Sequence, residues 1–253
     1  MKKAAVGFAV LTMLIGLVGF LNSPAFAQEK VYTNGIDANF PPFAFVDKTG
    51  KPDGFDVAVI DWIANEEGFK AKHQPMDWDT IIPSLNAKKI DFIASGMSIT
   101  DARKKEVNFT DPYWTIKQVL VAKAGSGLTP EAAMADGKKI GVQRGTTEAK
   151  WIEENLIKKE GKKFELVYYD SAPLAIEDVL NGRIVAAAMD DAPAQDAEKK
   201  KPVKIIGQFG MPDELFGYAV RKDDADLLKK LNDGLKKIKA SPKWEELKKK
   251  YEL

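Results

Sequence analysis

The sequence has no cysteine and one histidine, His73. Without cysteine there is neither a disulfide nor a thiol to carry a lipid anchor. A lone histidine, flanked by Lys72 and Gln74, supplies neither a histidine metal triad nor a histidine-based nucleophile relay, and it reads as a surface residue. An excess of charge is missing too, since 38 Lys and Arg face 37 Asp and Glu. The two signs are intermixed, so no basic stripe points to nucleic acid. A phosphate loop is also lacking: Arg144-Gly145-Thr146-Thr147 has neither the glycine spacing nor the Lys-Ser/Thr ending. The lysine-rich segments Asp224 to Ala240 and Pro242 to Tyr251 read as helices with wet faces, too poor in paired apolar residues to bind a membrane. No cofactor and no metal is expected.

Long apolar runs are confined to the start. Met1-Lys2-Lys3 is a short positive segment, Ala4 to Leu21 is mostly apolar, and Ala25-Phe26-Ala27 offers small residues around a cleavage point. This reads as a secretory signal peptide, residues 1–27, cleaved after Ala27. Gly7, Gly16 and Gly19 interrupt the apolar run, which counts against a retained anchor. Loss of Lys2 and Lys3 takes the formal charge from +1 to −1. A freely diffusing periplasmic monomer follows most simply. At this size burial of roughly 70% of the unfolded surface is expected, enough for one large or two modest cores.

The chain turns on Ser95-Gly96-Met97-Ser98-Ile99-Thr100-Asp101-Ala102-Arg103. Ile90 to Ala94 reads as a short buried strand, and Thr100 as the N-cap of a helix carrying Arg103. A helix N-terminus, the hydroxyls of Ser95 and Ser98 and a guanidinium together suit a carboxylate. The stretch equally fits a capped surface helix with a solvated arginine, Gly96 merely allowing a turn. Around it, Val31 to Gly35 reads as a first strand, and Pro41-Pro42 holds the chain extended so that Asp37 and Phe40 stand at a strand end. Phe55 to Ala64 has helical apolar spacing that ends before Gly68. Trp78 precedes a further helix start, where it is either a loop plug or an aromatic wall.

A second strand-turn-helix unit begins at Lys138, with Gln143 at the strand end and Thr146 and Thr147 at the turn. Ile184 to Met189 forms another strand that ends in Asp190 and Asp191, which are solvated acids, helix caps or ligand contacts. Gln118 to Ala122 leads out of the first unit and Phe216 to Val220 leads back. Two α/β lobes are therefore expected, residues 28–120 with 217–253 and residues 121–216.

Taken in order, Phe40-Pro41-Pro42-Phe43-Ala44-Phe45, Asp53-Gly54-Phe55-Asp56-Val57, Trp78 to Leu85, Ser98 to Arg103, Phe109-Thr110-Asp111-Pro112-Tyr113, Gly141 to Thr147 and Asp190-Asp191-Ala192-Pro193 resemble one family. It is the polar amino-acid-binding proteins of ABC importers, the type II periplasmic solute-binding proteins of family 3. The resemblance spans essentially the whole chain after the signal peptide. It implies a two-lobed periplasmic binding fold hinged on two crossover strands, closing on a free L-amino acid for delivery to a membrane ABC permease.

The resemblance also implies roles. Ser95, Gly96, Ser98, Arg103, Thr146 and Thr147 would hold the ligand carboxylate, and Asp191 the α-ammonium. Phe40 and Trp78 would wall the ligand side chain, with Asp37, Gln143 and Asp190 at its polar end. Two acids beside two aromatics favour arginine, lysine or ornithine. Glutamine follows, because an aspartate at the position of Asp37 is compatible in the family with amide ligands too, while Gln143, standing where some glutamine binders carry lysine, is a departure that counts against it. The enzyme alternative is a cyclohexadienyl dehydratase acting on prephenate or arogenate, with Asp190 or Glu148 as proton donor. A sensory role would need a separate signalling partner, since the chain ends at Leu253 without a kinase segment.

Overall fold

The computed structural model describes residues 29–253; the signal peptide expected over 1–27 lies outside the described residues. The first half opens with β1 (Val31–Ile36) and a small sheet of β2 (Asn39–Phe40), β3 (Ala44–Val46) and β4 (Pro52–Asp53). It continues through α1 (Phe55–Glu67), β5 (Lys70–Pro75), a 3-10 turn at Trp78–Thr80, α2 (Ile81–Asn86), β6 (Phe92–Ile93), α3 (Asp101–Glu106) and β7 (Asn108–Phe109). The chain then passes along β8 (Trp114–Ile116) into β9 (Gln118–Lys123), α4 (Pro130–Ala133), β10 (Lys139–Gln143) and α5 (Thr147–Trp151). A π-helical stretch, Ile152–Lys159, prolongs α5. There follow β11 (Glu165–Tyr169), α6 (Ala172–Leu180), β12 (Ala186–Asp190), α7 (Asp191–Lys200) and β13 (Val203–Gln208). The chain returns on β14 (Glu214–Phe216) to β15 (Ala219–Val220), α8 (Ala225–Lys239) and α9 (Pro242–Lys250).

Two five-stranded mixed sheets result, ordered β5-β1-β6-β15-β7 and β11-β10-β12-β9-β13. The crossover strands β8 and β14 pair antiparallel with each other between them, completing a two-lobed α/β molecule. Every residue of β9 except its outer lysine is buried, and the strand pairs with β12 and β13 in the second sheet. The change of sheet therefore falls between Ile116 and Gln118, ahead of the expected break after residue 120. The return falls between Phe216 and Ala219, about the expected break after residue 216.

Helix α1 shows why the first lobe coheres. Phe55, Val59, Ile60 and Ile63 recur at helical spacing and are fully buried. Each such side chain contributes roughly 1.5–3 kcal/mol of hydrophobic stabilisation. Gly68, at φ 67, ends the helix in the left-handed conformation, its N–H donating to the Ala64 carbonyl. Helices α8 and α9 return from the far end of the chain to the same core, through Leu227, Leu231, Leu235 and Trp244. The second lobe has one apolar cluster on each face of its sheet, as expected for a sheet buried on both sides.

Two local expectations change. Pro41-Pro42 does not hold the chain extended: the peptide is cis, the Phe43 N–H donates to the Phe40 carbonyl at 3.0 Å, and β2 folds back on β3. His73 is not a surface residue. Its side chain is only 9% exposed, because β5 packs it between Asn34, at 3.0 Å, and Asp61, also at 3.0 Å.

Candidate functional site

In open α/β sheets ligands bind beyond the carboxyl ends of parallel strands. Here Asp37 follows β1, Ser95 follows β6, Gln143 ends β10 and Asp190 ends β12. The two sheets present these ends to one another across a cleft. Of the twelve residues named from sequence, eleven line it and Asp191 does not.

The first lobe's wall is held by backbone bonds to the crossover. The Ile99 N–H donates to the Leu215 carbonyl at 2.7 Å and the Gly217 N–H to the Met97 carbonyl at 3.0 Å. Gly96 has φ 59, and a Cβ there would stand 2.3 Å from the Phe40 ring, so only glycine fits. Its N–H is not free for a ligand, because it donates to Asp56 at 2.7 Å. Asp56 is fully buried, also accepts from the Tyr113 and Tyr218 hydroxyls, and is pushed up to about 7 by burial. The Ser95 oxygen accepts the Asp37 N–H at 2.9 Å, which leaves its own hydrogen to be donated.

Thr100 caps α3 as expected, accepting the Arg103 N–H at 3.1 Å. The Arg103 guanidinium donates to the Ser98 carbonyl at 3.0 Å and to the Gly145 carbonyl of the other lobe at 3.3 Å. Its carbon lies 5.4 Å from the centre of the Trp78 ring. Trp78 therefore backs the arginine as well as lining the cleft, a contact that orients the guanidinium. Burial lowers the Arg103 pKa, and Glu214, Glu148 and Asp190 pull it back up.

On the facing wall, Thr146 donates its hydroxyl to the Gln143 carbonyl at 2.8 Å and caps α5 by accepting from the Ala149 N–H. The Thr147 hydroxyl lies 2.6 Å from a Glu214 oxygen. Both hydroxyls are thus engaged within the protein and not aimed only at a carboxylate. Gln143 crosses the cleft and donates to Asp37 at 2.7 Å. Burial raises the Asp37 pKa, with the bonds from Gln143 and Asn39 working against it.

The resemblance implies the ammonium role for Asp191; of the two acids, Asp190 is the one that lines the cleft. Strand β12 runs through Asp190, whose carboxylate is buried and accepts from Gln118 at 2.9 Å. Asp191 begins α7 and is half-buried, its carboxylate 3.5 Å from the Lys117 backbone N–H. Burial raises the Asp190 pKa well above the usual range, and Glu148 and Glu214 add to the effect.

Glu148, weighed from sequence only as a proton donor, also lines the cleft, and burial raises it to about 7. Glu214 was not anticipated. The available signal was an acid in the first turn after Thr146-Thr147 and another on the return strand, neither of which sets it apart from ordinary surface acids.

Bacterial extracellular solute-binding proteins, family 3, match this chain over residues 32–253. The L-arginine-binding protein of Pseudomonas aeruginosa is 33% identical over 262 aligned residues, covering 99% of this chain and 96% of that protein. Among solved structures, an ancestral arginine-binding protein bound to arginine is similar at a TM-score of 0.79 and 36% identity, over 88% of this chain and 98% of that one. An ancestral amino acid-binding protein, a precursor of cyclohexadienyl dehydratase, is similar at a TM-score of 0.80 and 33% identity, over 87% and 95%.

Proposed function

The chain belongs to the bacterial extracellular solute-binding proteins of family 3, and from that premise we propose that it captures a free polar L-amino acid by lobe closure. The observation that carries this reading is the opposition of Arg103 from one lobe and Asp190 from the other across a single cleft. A zwitterion satisfies both, so ligand ties the lobes together and the β8–β14 crossover serves as the hinge. The arginine takes the carboxylate bidentately and Asp190 takes the α-ammonium.

A cationic side chain is preferred. Asp37, Glu148 and Asp190 stand in the cleft against Arg103, and Phe40 offers a ring face. Arginine, lysine and ornithine therefore come first, with glutamine behind them. A ligand of about ten non-hydrogen atoms at roughly −0.8 to −1 kcal/mol each reaches micromolar affinity or tighter. The protein acts in the periplasm as a monomer, after cleavage following Ala27, and hands the amino acid to a membrane ABC permease.

Titration calorimetry of L-arginine into the purified protein and into Arg103→Ala tests the reading. The variant should lose on the order of 100-fold or more in affinity while melting as the wild type does. Unchanged affinity in Arg103→Ala contradicts the clamp. A second reading has one observation in its favour: Glu148, buried in the cleft and raised to about 7, is suited to give a proton to a leaving hydroxyl. Formation of phenylpyruvate from prephenate would move the protein to the dehydratase class; no turnover is expected.

A further inference from the structure

The cleft contains more carboxylate than the Arg103–Asp190 pair requires. Gln118, at the start of β9, donates through Nε2 to Asp190 Oδ1 at 2.9 Å and to Glu214 Oε2 at 3.3 Å. Thr147 Oγ1 lies 2.6 Å from Glu214 Oε2 and 3.4 Å from Glu148 Oε2. Asp190, Gln118, Glu214, Thr147 and Glu148 thus form one chain of contacts from the end of β12, over the crossover strand, to the first turn of α5. The charged groups among the described residues that bear on it are Arg103 from α3 and Asp37 after β1, which line the same cleft, and Asp191 at the start of α7, which lies outside that lining but repels Asp190. Among the described residues, Arg103 directs its hydrogen bonds at two carbonyls and at none of these carboxylates.

The network is short of donors. Among the described residues, the side-chain donors on Asp190 and Glu214 are the Gln118 amide and the Thr147 hydroxyl, while Glu148 is also held by its own backbone N–H and by Thr146, and the Gln118 Oε1 has none. Gln118 is 1% exposed, and its Oε1 has no hydrogen-bond partner among the described residues. A buried acceptor without a donor has given up its water for nothing in return, which is unfavourable. What remedies this is either a donor-rich cation or a proton held on the carboxyls. An alkylammonium supplies both the three donors and the positive charge.

We propose that Glu148 and Glu214 join Asp190 as a cation-recognising wall of the cleft, and that a ligand ammonium entering it displaces a proton held in this network. The proposal rests on the amino-acid reading above and deepens it. In the exchange a carboxylic O–H bond breaks, its proton passes to solvent buffer, and N–H···O bonds from the ammonium replace it; no electrons are transferred. Burial and mutual repulsion, which hold Glu148 near 7 and Asp190 well above the usual carboxylate range, keep a proton in place at neutral pH. The free protein then carries more protons than the complex, so affinity rises with pH, by at most tenfold per pH unit for one proton. Glu214 lies on the crossover strand, so the wall reaches from the cleft to the strand that joins the two lobes.

Calorimetric titration of L-arginine at about pH 6.5, in two buffers of different ionisation heat, counts the protons exchanged. Release of roughly half to one proton per ligand is expected, with affinity climbing at least about threefold between about pH 5.5 and 7.5. In Glu148→Gln, and separately in Glu214→Gln, release should fall below half of the wild-type value. Binding without proton release and with flat affinity overturns the wall but leaves amino-acid capture standing, as does undiminished release in both variants. Failure of every common L-amino acid to bind overturns both. The wild-type proton count decides the matter by itself if either variant fails to fold.

Discussion

Asp190 and Asp191 are chemically identical neighbours with opposite surroundings. Strand β12 ends at Asp190 and helix α7 begins at Asp191, so the two carboxylates leave the chain on either side of a strand-to-helix change, and of the two Asp190 lines the cleft. The Asp190 carboxylate is tied to Gln118, while Asp191 sits outside against the Lys117 backbone. Asp190→Asn should therefore weaken amino-acid binding on the order of 100-fold. Asp191→Asn, which leaves the cleft intact, should change it by less than about threefold. Calorimetry on the two variants side by side checks the assignment. Arg103 was legible from sequence because a cap, a short helix and a positive group stand in a recognisable order. Asp190 was named from sequence for the polar end of the ligand side chain, but two consecutive acids at a strand end do not reveal which of them lines the cleft. Glu148 and Glu214 are 66 positions apart in the chain, and nothing local announces that Thr147 brings them together.

At the scale of elements, the turn between β10 and α5 comes close to the facing lobe. Gly145 has φ 77, and a Cβ there would lie 3.2 Å from the Asp79 Cα and Cβ. Its carbonyl accepts from Arg103. Gly145→Ala meets both the left-handed penalty, roughly 1 kcal/mol, and a crowded approach to the facing lobe. It should reduce affinity by about 5- to 50-fold, mainly through faster dissociation, and leave the secondary structure unchanged. Stopped-flow release of ligand, with circular dichroism as control, checks this. Most helices were readable from apolar spacing and caps, as Phe55 to Ala64 with Gly68 shows. The limit of the first lobe was not. Val119 to Ala122 is an apolar run that suits either sheet, and only its pairing with Ala186 to Met189, far along the chain, assigns it to the second. Pro41-Pro42 likewise excluded a helix without disclosing that β2 turns back on β3.

Across the whole molecule, buried acids set the response to pH. Burial raises Asp56 and Glu148 to about 7 and lifts Asp37 and Asp190. In the unfolded chain these groups titrate near 4. Between about pH 4 and 7 the folded protein thus binds more protons than the unfolded one, and stability falls as pH rises. Asp47, Asp178 and Asp233, held below the usual range by their hydrogen bonds, act in the other direction and only in more acid solution. The ligand-free protein should be most stable near pH 4 to 5 and lose melting temperature steadily towards pH 8. Asp56→Asn should flatten that slope; a melting temperature that rises from pH 5 to 8 contradicts it. The two-lobed plan itself was visible in sequence, because a second strand-turn-helix unit repeats the first and two apolar strands lead out and back.

The central claim is that the cleft takes a free polar L-amino acid. Its most direct test is the melting temperature of ligand-stripped protein against the twenty L-amino acids and ornithine, since a ligand bound only by the folded state raises the midpoint. The account predicts a rise of several degrees with arginine, lysine or ornithine, a smaller one with glutamine, and none with apolar amino acids. No rise with any amino acid, at concentrations far above micromolar, would contradict it.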